Sequence, residues 1–367
     1  MDFNEILLLE AWTDKIKREK LPIIIYGTGD GADKIIAYLQ SKNLFVSDVF
    51  ASDGFVRNRI YQGMQVLSIE EVTKKYAKSG FCIVSAFALE GEKANLFYKM
   101  RSEYTLYCPN LPPFGTLCAD KKFITEMLTK IEHAYNLLAD EKSREIFVSL
   151  LKYDITADIK YLCNEYFDMP DEWYNHKKTH IDIGAYNGDT VLEYVKKSSD
   201  YSGIIAVEPD CATFEKLKIN TKGCKNITLI NAAAWKCDGT AFFDSKGSRA
   251  SRIIDSDFKN NCCINPYNNT KIDLRSIDSI CGKKYTNSLG IDVGSIKIDG
   301  EGADAEILYG AANVIYSQLP IISVAVYHRA SDFFEFPIYL SRQNPKYKFF
   351  LRQKKYIPSF DVFLIAK

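Results

Sequence analysis

The feature that most constrains this chain is a β-branched run that breaks at glycine, opens a helix and returns as a second strand ending in acid. From His180 it reads HIDIGA, then Gly184-Ala185-Tyr186-Asn187-Gly188-Asp189-Thr190, then TVLEYVKK at helical spacing, then GIIAVEP closing on Glu208-Pro209-Asp210. Strand, turn, helix, strand is a βαβ unit, and it implies a parallel sheet covered by helices. A second version stands near the N-terminus. LPIIIYG runs into Gly27-Thr28-Gly29-Asp30-Gly31-Ala32, a helix follows, and LFVSDVFASDG brings Asp53 to the end of the next strand. The pattern predicts an α/β fold with two such domains, and 367 residues suit two units of roughly 150 residues plus a connector.

Punctuation along the chain places the boundaries. Pro109, Pro112 and Pro113 close a first domain over residues 1–118, which begins with a helix from about Phe3 to Arg18. Residues 119–170 carry apolar side chains at three- and four-residue spacing and read as a helical connector. Residues 171–367 form the second domain, with strands at HIDIGA, GIIAVEP, NITLINAAAW, SIKIDG, PIISVAVYH, KYKFFLR and DVFLIAK. Further helices are expected at CATFEKLKIN, AEILYGAANVIYSQ and FPIYLSRQ. An insertion after the third strand carries its own strand-like pieces, AFFDS, SRIID and KIDLRSI. No helix separates the last two strands, which predicts a terminal hairpin at one edge of the sheet.

Charge and cysteine usage exclude several classes. Lys+Arg and Asp+Glu number 47 each, so the formal net charge is zero and nucleic acid is not an expected partner. No apolar run approaches the roughly 20 residues of a membrane span, and the mixed-charge N-terminus does not read as a signal peptide. The ten cysteines include no CxxC pair and no zinc spacing. A soluble protein of a reducing cytoplasm is expected; Asn226 and Asn268 in glycosylation sequons are then chance matches, and self-association is left open.

The glycine loop of the second domain has a chemical reading. Its glycines allow a tight turn and close approach of a ligand, and the helix behind it adds N–H donors. Asp182 closes the strand before it, and Glu208 stands where an acidic side chain grips ribose hydroxyls. A third loop glycine for a pyrophosphate is missing. Carboxylates beside the loop suit a sulfonium cation and repel a pyrophosphate, so S-adenosylmethionine is favoured over NAD, against the alternative of an ordinary tight turn.

IDIGAYNGDT, AVEPDCATFEKLKIN, the SRI segment, DLRSIDSI and above all KIDGEGADAEIL resemble the FkbM-type S-adenosylmethionine-dependent O-methyltransferases. The K-x-D-x-E-G-A motif of that family is matched by Lys297, Asp299, Glu301, Gly302 and Ala303. LLADEKSREIF and Glu165 to Asp168 extend the likeness into the connector. The resemblance implies a class I methyltransferase sheet and methylation of a hydroxyl on a small acceptor, a sugar or nucleotide-sugar. Two departures fall on the acceptor side. Gln353-Lys354-Lys355-Tyr356 stands where relatives often carry a histidine, and Gly300 replaces a β-branched residue. The first domain looks like the small Rossmann-like domains found beside sugar-modifying enzymes. Its Gly27, Gly29, Gly31 and Asp53 form either a nucleotide-sugar site or a purely structural turn.

Methyl transfer to oxygen needs alignment, exclusion of water and removal of a proton from a weak acid. Candidates at the strand ends are Asp299, Glu301 and His328. The imidazole is the expected general base, with a carboxylate orienting it. Lys297, inside its strand, is either catalytic or half of a buried ion pair. Asp299, Glu301 and His328 also suit a divalent metal, though the spacing does not require one. His133, His176 and His180 read as surface or packing residues, and Asn265-Pro266-Tyr267 as a turn. Two rival functions remain: an oxidoreductase using a nucleotide-sugar or dinucleotide, and a noncatalytic nucleotide-sugar-binding module.

Overall fold

The computed structural model describes residues 3–56, 59–114, 118–162, 167–174, 177–198, 200–244, 252–254, 269–282 and 290–367. The first sheet takes β1 (Ile23–Tyr26), β2 (Val46–Phe50), β3 (Ile60–Tyr61), β4 (Met64–Leu67) and β5 (Cys82–Ser85). After the short β6 (Leu89–Glu90), which pairs elsewhere, β7 (Thr105–Tyr107) completes the order β3-β4-β2-β1-β5-β7. Side chains alternate between the faces of a strand, and β1 shows it. Ile23 and Ile25 pack with Trp12, Ile16, Ile35 and Leu39, whereas Ile24 and Tyr26 pack with Val72, Phe97 and Met100.

The single helix expected from Phe3 to Arg18 is two helices, Asn4–Leu7 and Trp12–Glu19. The break has a packing cause. Phe3 and Ile6 join the core of the C-terminal half, while Trp12 and Ile16 join that of the first sheet. The connector is helical over Lys121–Glu126, Leu128–Leu137 and Glu141–Thr156. The last of these starts on Asp140, whose Oδ1 accepts the Ser143 N–H at 2.9 Å as an N-cap should. It contributes Phe147 and Leu151 to the C-terminal core and Tyr153 to the N-terminal one.

The second half begins with β8 (Thr179–Ile183), β9 (Gly203–Val207) and β10 (Ile227–Ile230). β11 (Ala233–Ala234), β12 (Gly239–Asp244), β13 (Arg252–Ile254) and β14 (Asn269–Arg275) then form a separate small sheet. The run NITLINAAAW, expected as one strand, is thus split between two sheets. β15 (Val293–Ile298), β16 (Ile321–Ala325), β17 (Phe349–Gln353), β18 (Tyr356–Ile357) and β19 (Val362–Ala366) follow. The main sheet has the order β10-β9-β8-β15-β16-β19-β17, and only β19 runs antiparallel to its neighbours. The terminal hairpin therefore exists, but β19 inserts beside β16 and leaves β17 at the edge. Between them β18 pairs with β6 of the N-terminal half.

The helix expected over AEILYGAANVIYSQ is interrupted at Gly310, leaving Asp304–Tyr309 and Ala312–Gln318. A Cβ at Gly310 would lie 2.1 Å from the Trp235 carbonyl oxygen, so the small sheet presses on the chain there. No helix among the described residues is long and apolar enough to cross a membrane.

Candidate active site

The parallel strands β8 and β15 are neighbours at the point where the strand order turns back, and a parallel sheet opens its ligand crevice at the carboxyl ends beside such a switch point. The loops after β9, β8, β15 and β16, four neighbouring strands, all lie on that rim. Gly184 leaves β8 at φ +72°, and a Cβ there would sit 2.0 Å from the Asp299 carbonyl oxygen. Only glycine allows the two loops to touch. Tyr186 follows at φ +47°, and Gly188, at φ +89°, starts the helix Asp189–Lys197. Asp189 Oδ1 accepts the Thr190 N–H at 2.8 Å, Asn187 Oδ1 accepts the Asp189 N–H at 3.2 Å, and Ala185 is held by its N–H on the Val207 carbonyl.

Asp182 is fully buried and is occupied from within. Its Oδ1 lies 3.1 Å from Lys297 Nζ, and Thr190 Oγ1 donates to its Oδ2. Lys297 also donates to the Gly184 carbonyl at 2.8 Å. Burial alone would lower the lysine pKa, but the Asp182 and Asp299 carboxylates more than offset it and raise it. An ammonium so held braces the loop.

Glu208 ends β9 with each carboxylate oxygen on a backbone donor: Oε2 accepts the Tyr186 N–H at 3.0 Å and Oε1 the Asp210 N–H at 2.9 Å. Burial pushes its pKa up to about 7, against those donors. Pro209 follows, and Asp210 caps the next helix through the Thr213 N–H at 2.9 Å. Asn231, unremarked in the sequence, donates to the Glu208 carbonyl at 2.9 Å and the Pro209 carbonyl at 3.2 Å. Its position just past β10 was the available signal.

One strand further on, Asp299 and Glu301 follow β15. Glu301 has φ +48°, a conformation unusual for a residue with a Cβ. His328 lies beyond the end of β16 at Ala325, so it stands on a loop and not on the strand as expected. It is fully buried. Nδ1 donates to Asp304 Oδ2 at 2.7 Å, while Nε2 faces Asp299 Oδ1 at 3.4 Å and Glu301 Oε2 at 3.6 Å. The orienting carboxylate is therefore Asp304, which the sequence reading missed because an acid opening a helix is normal on dipole grounds alone. Burial would lower the imidazole pKa, but Asp304, Asp299 and Glu301 together raise it to about 9. A near-neutral free base, the expected role, is not what this surrounding produces. Phe114 covers the ring edge-on at 5.7 Å between centroids.

The N-terminal glycine loop is tightly packed against Ala86. A Cβ at Gly31 would meet the Ala86 carbonyl oxygen at 2.1 Å, and Gly27 has φ +116°. Gly29 caps the helix Asp30–Ser41, whose first turn carries Asp30 and Asp33, and Asp53 opens a short turn after β2. Two carboxylates at a helix N-terminus oppose a phosphate there. Of the other residues singled out, His180 stacks on Tyr194 at 3.9 Å, as a packing residue does. His176, Cys163, Cys262, Cys263 and Asn265-Pro266-Tyr267 lie outside the described residues.

A seven-stranded sheet of this order, with its one antiparallel strand next to the edge and its loops gathered at the switch point, defines a class I methyltransferase fold. Residues 182–357 match the methyltransferase FkbM domain, and that segment belongs to the FkbM methyltransferase family. The methyltransferase FkbM of Methylobacillus flagellatus KT is similar over nearly the whole chain. It shares 17% identity and a TM-score of 0.68, over 97% of this chain and 92% of that one. Aeropyrum pernix fibrillarin, solved with S-adenosyl-L-methionine, matches at 11% identity and a TM-score of 0.32, over 55% of this chain and 70% of that one. No curated protein matches the chain.

Proposed function

We propose that this chain transfers a methyl group from S-adenosylmethionine to a hydroxyl of a small acceptor, a sugar or nucleotide-sugar. The observation that carries the reading is Glu208, a buried carboxylate at the end of β9, beside a glycine loop that no larger residue could form. Each Glu208 oxygen accepts one N–H and keeps a further lone pair, as a group gripping ribose hydroxyls must. Bound there, S-adenosylmethionine supplies an electrophilic methyl group. Acidic side chains around the rim also suit its sulfonium charge.

The chain's own residues then have distinct tasks. Lys297 and Asp182 fix the loop, and Phe114 and the burial of His328 keep water from the acceptor side. His328, cationic at neutral pH, positions Asp299 and Glu301, and one of these carboxylates takes the hydroxyl proton as the carbon–oxygen bond forms and the carbon–sulfur bond breaks to leave S-adenosylhomocysteine. Incubation with methyl-labelled S-adenosylmethionine and a panel of sugars, nucleotide-sugars, amines and thiols tests this. Label in an O-methyl sugar supports the reading, and label only in amines or thiols contradicts it.

A further inference from the structure

Asp299, Glu301 and His328 come from two neighbouring strand ends and each presents one atom to a common point, all within 4.8 Å of one another. His328 Nε2 is buried and makes no hydrogen bond among the described residues. It stands 3.4 Å from Asp299 Oδ1 and 3.6 Å from Glu301 Oε2, beyond a normal N–H···O bond. Atoms that share a cation adopt about this spacing, because bonds of about 2.1 Å at octahedral or tetrahedral angles hold neighbouring ligands roughly 3.0–3.4 Å apart.

The surroundings favour the same use. The Asp304 carboxylate accepts a hydrogen bond from Nδ1–H and so directs Nε2 at the two carboxylates, the arrangement by which metal-ligating histidines are held. Asp304 is itself fixed by the Gly300 N–H at 2.7 Å and the Gly302 N–H at 3.2 Å. The side chains of Asp299 and Glu301 remain 25% and 30% exposed, so the point they share is open on one side to a ligand from the crevice.

We propose that Asp299, Glu301 and His328 bind a divalent cation of the Mg²⁺ or Mn²⁺ class, which receives the acceptor hydroxyl. This rests on the methyltransferase reading above and adds an acceptor-side ion to it. Two carboxylates and one imidazole are oxygen-rich, borderline-hard ligands that suit such ions. The ion replaces the proton on Nε2, and its charge is balanced by the two carboxylates. It also lowers the pKa of a coordinated hydroxyl, so that the carboxylate that takes its proton does so more readily.

The test is titration of Mn²⁺ into chelator-stripped full-length protein, followed by electron paramagnetic resonance, with calorimetry of S-adenosylhomocysteine in parallel. One Mn²⁺ per chain is expected in the wild type. Binding should weaken at least ten-fold in both Asp299→Asn and Glu301→Gln, with S-adenosylhomocysteine affinity within about two-fold, which shows that the variants are folded. No Mn²⁺ binding by wild-type protein that still binds S-adenosylhomocysteine overturns the cation site and leaves the methyltransferase reading standing. Equal Mn²⁺ binding by wild type and both variants also overturns it. Wild-type protein that ignores S-adenosylhomocysteine overturns the underlying reading instead.

Discussion

His328 Nδ1 donates to Asp304 Oδ2 at 2.7 Å, and both side chains are buried. The pair joins the loop after β16 to the helix that follows the Asp299–Glu301 turn. Burial opposes the Asp304 charge, but His328 and the Gly300 N–H more than offset it, so the carboxylate pKa lies below its ordinary range. An ionised carboxylate holding one ring nitrogen leaves the other no freedom to turn away from the acceptor side.

Asp304→Asn tests that positioning role. The variant keeps an acceptor for the ring but loses the charge, so the imidazole is less firmly held. Turnover should fall roughly 10–100-fold, the usual cost of removing a carboxylate behind a functional histidine, with the KM for S-adenosylmethionine nearly unchanged. Steady-state kinetics decides it, and an unaltered kcat removes Asp304 from the account.

Much of this arrangement could be read from the sequence, for physical reasons. Strand-glycine-helix spacing around Gly184 and the acid at Glu208 are local signals, since the turn geometry and the strand end lie within one βαβ unit. The terminal hairpin followed from the absence of a helix before DVFLIAK, but not the insertion of β19 between β16 and β17. The Asp304–His328 pair could not be read because it joins residues 24 apart across two helices and β16, and nothing local distinguishes Asp304 from any acid at a helix start. The split of the first helix was equally hidden. Its periodicity is continuous, and only the presence of two separate cores divides Ile6 from Trp12.

A second buried carboxylate gives a stability prediction. Burial pushes the Asp154 pKa up to about 7, although the Asn110 side-chain amide donates to it at 2.8 Å. Below about pH 4 the group is neutral both folded and unfolded. Between that pH and about 7 it ionises only in the unfolded chain, so stability falls as pH rises and the full cost is present above 7. Asp154→Asn removes the cost while keeping an oxygen acceptor. Urea unfolding should show the variant more stable at pH 8, by up to about 4 kcal/mol, with the gain vanishing near pH 4. A variant no more stable at pH 8 would show that water or a neighbouring group already satisfies the charge.

Glu208 gives a binding prediction of the opposite sense. With its pKa at about 7, the carboxylate is ionised above neutrality and protonated below it. Ribose hydroxyls donate more strongly to the charged form. Affinity for S-adenosylhomocysteine should therefore weaken several-fold from pH 8 to pH 6, with protons released on binding. Calorimetry in buffers of differing ionisation enthalpy reads both effects, and a flat profile with no proton release would contradict them.

The central claim, that the loop after β8 and the acid after β9 hold the methyl donor, is tested most directly by calorimetry of S-adenosylhomocysteine at pH 8. The wild-type chain should bind one equivalent, and Glu208→Ala should lose roughly 1.5–3 kcal/mol of binding free energy through its charge-assisted hydrogen bonds. Wild-type protein that shows no binding, or a variant that binds as tightly as wild type, would contradict the assignment.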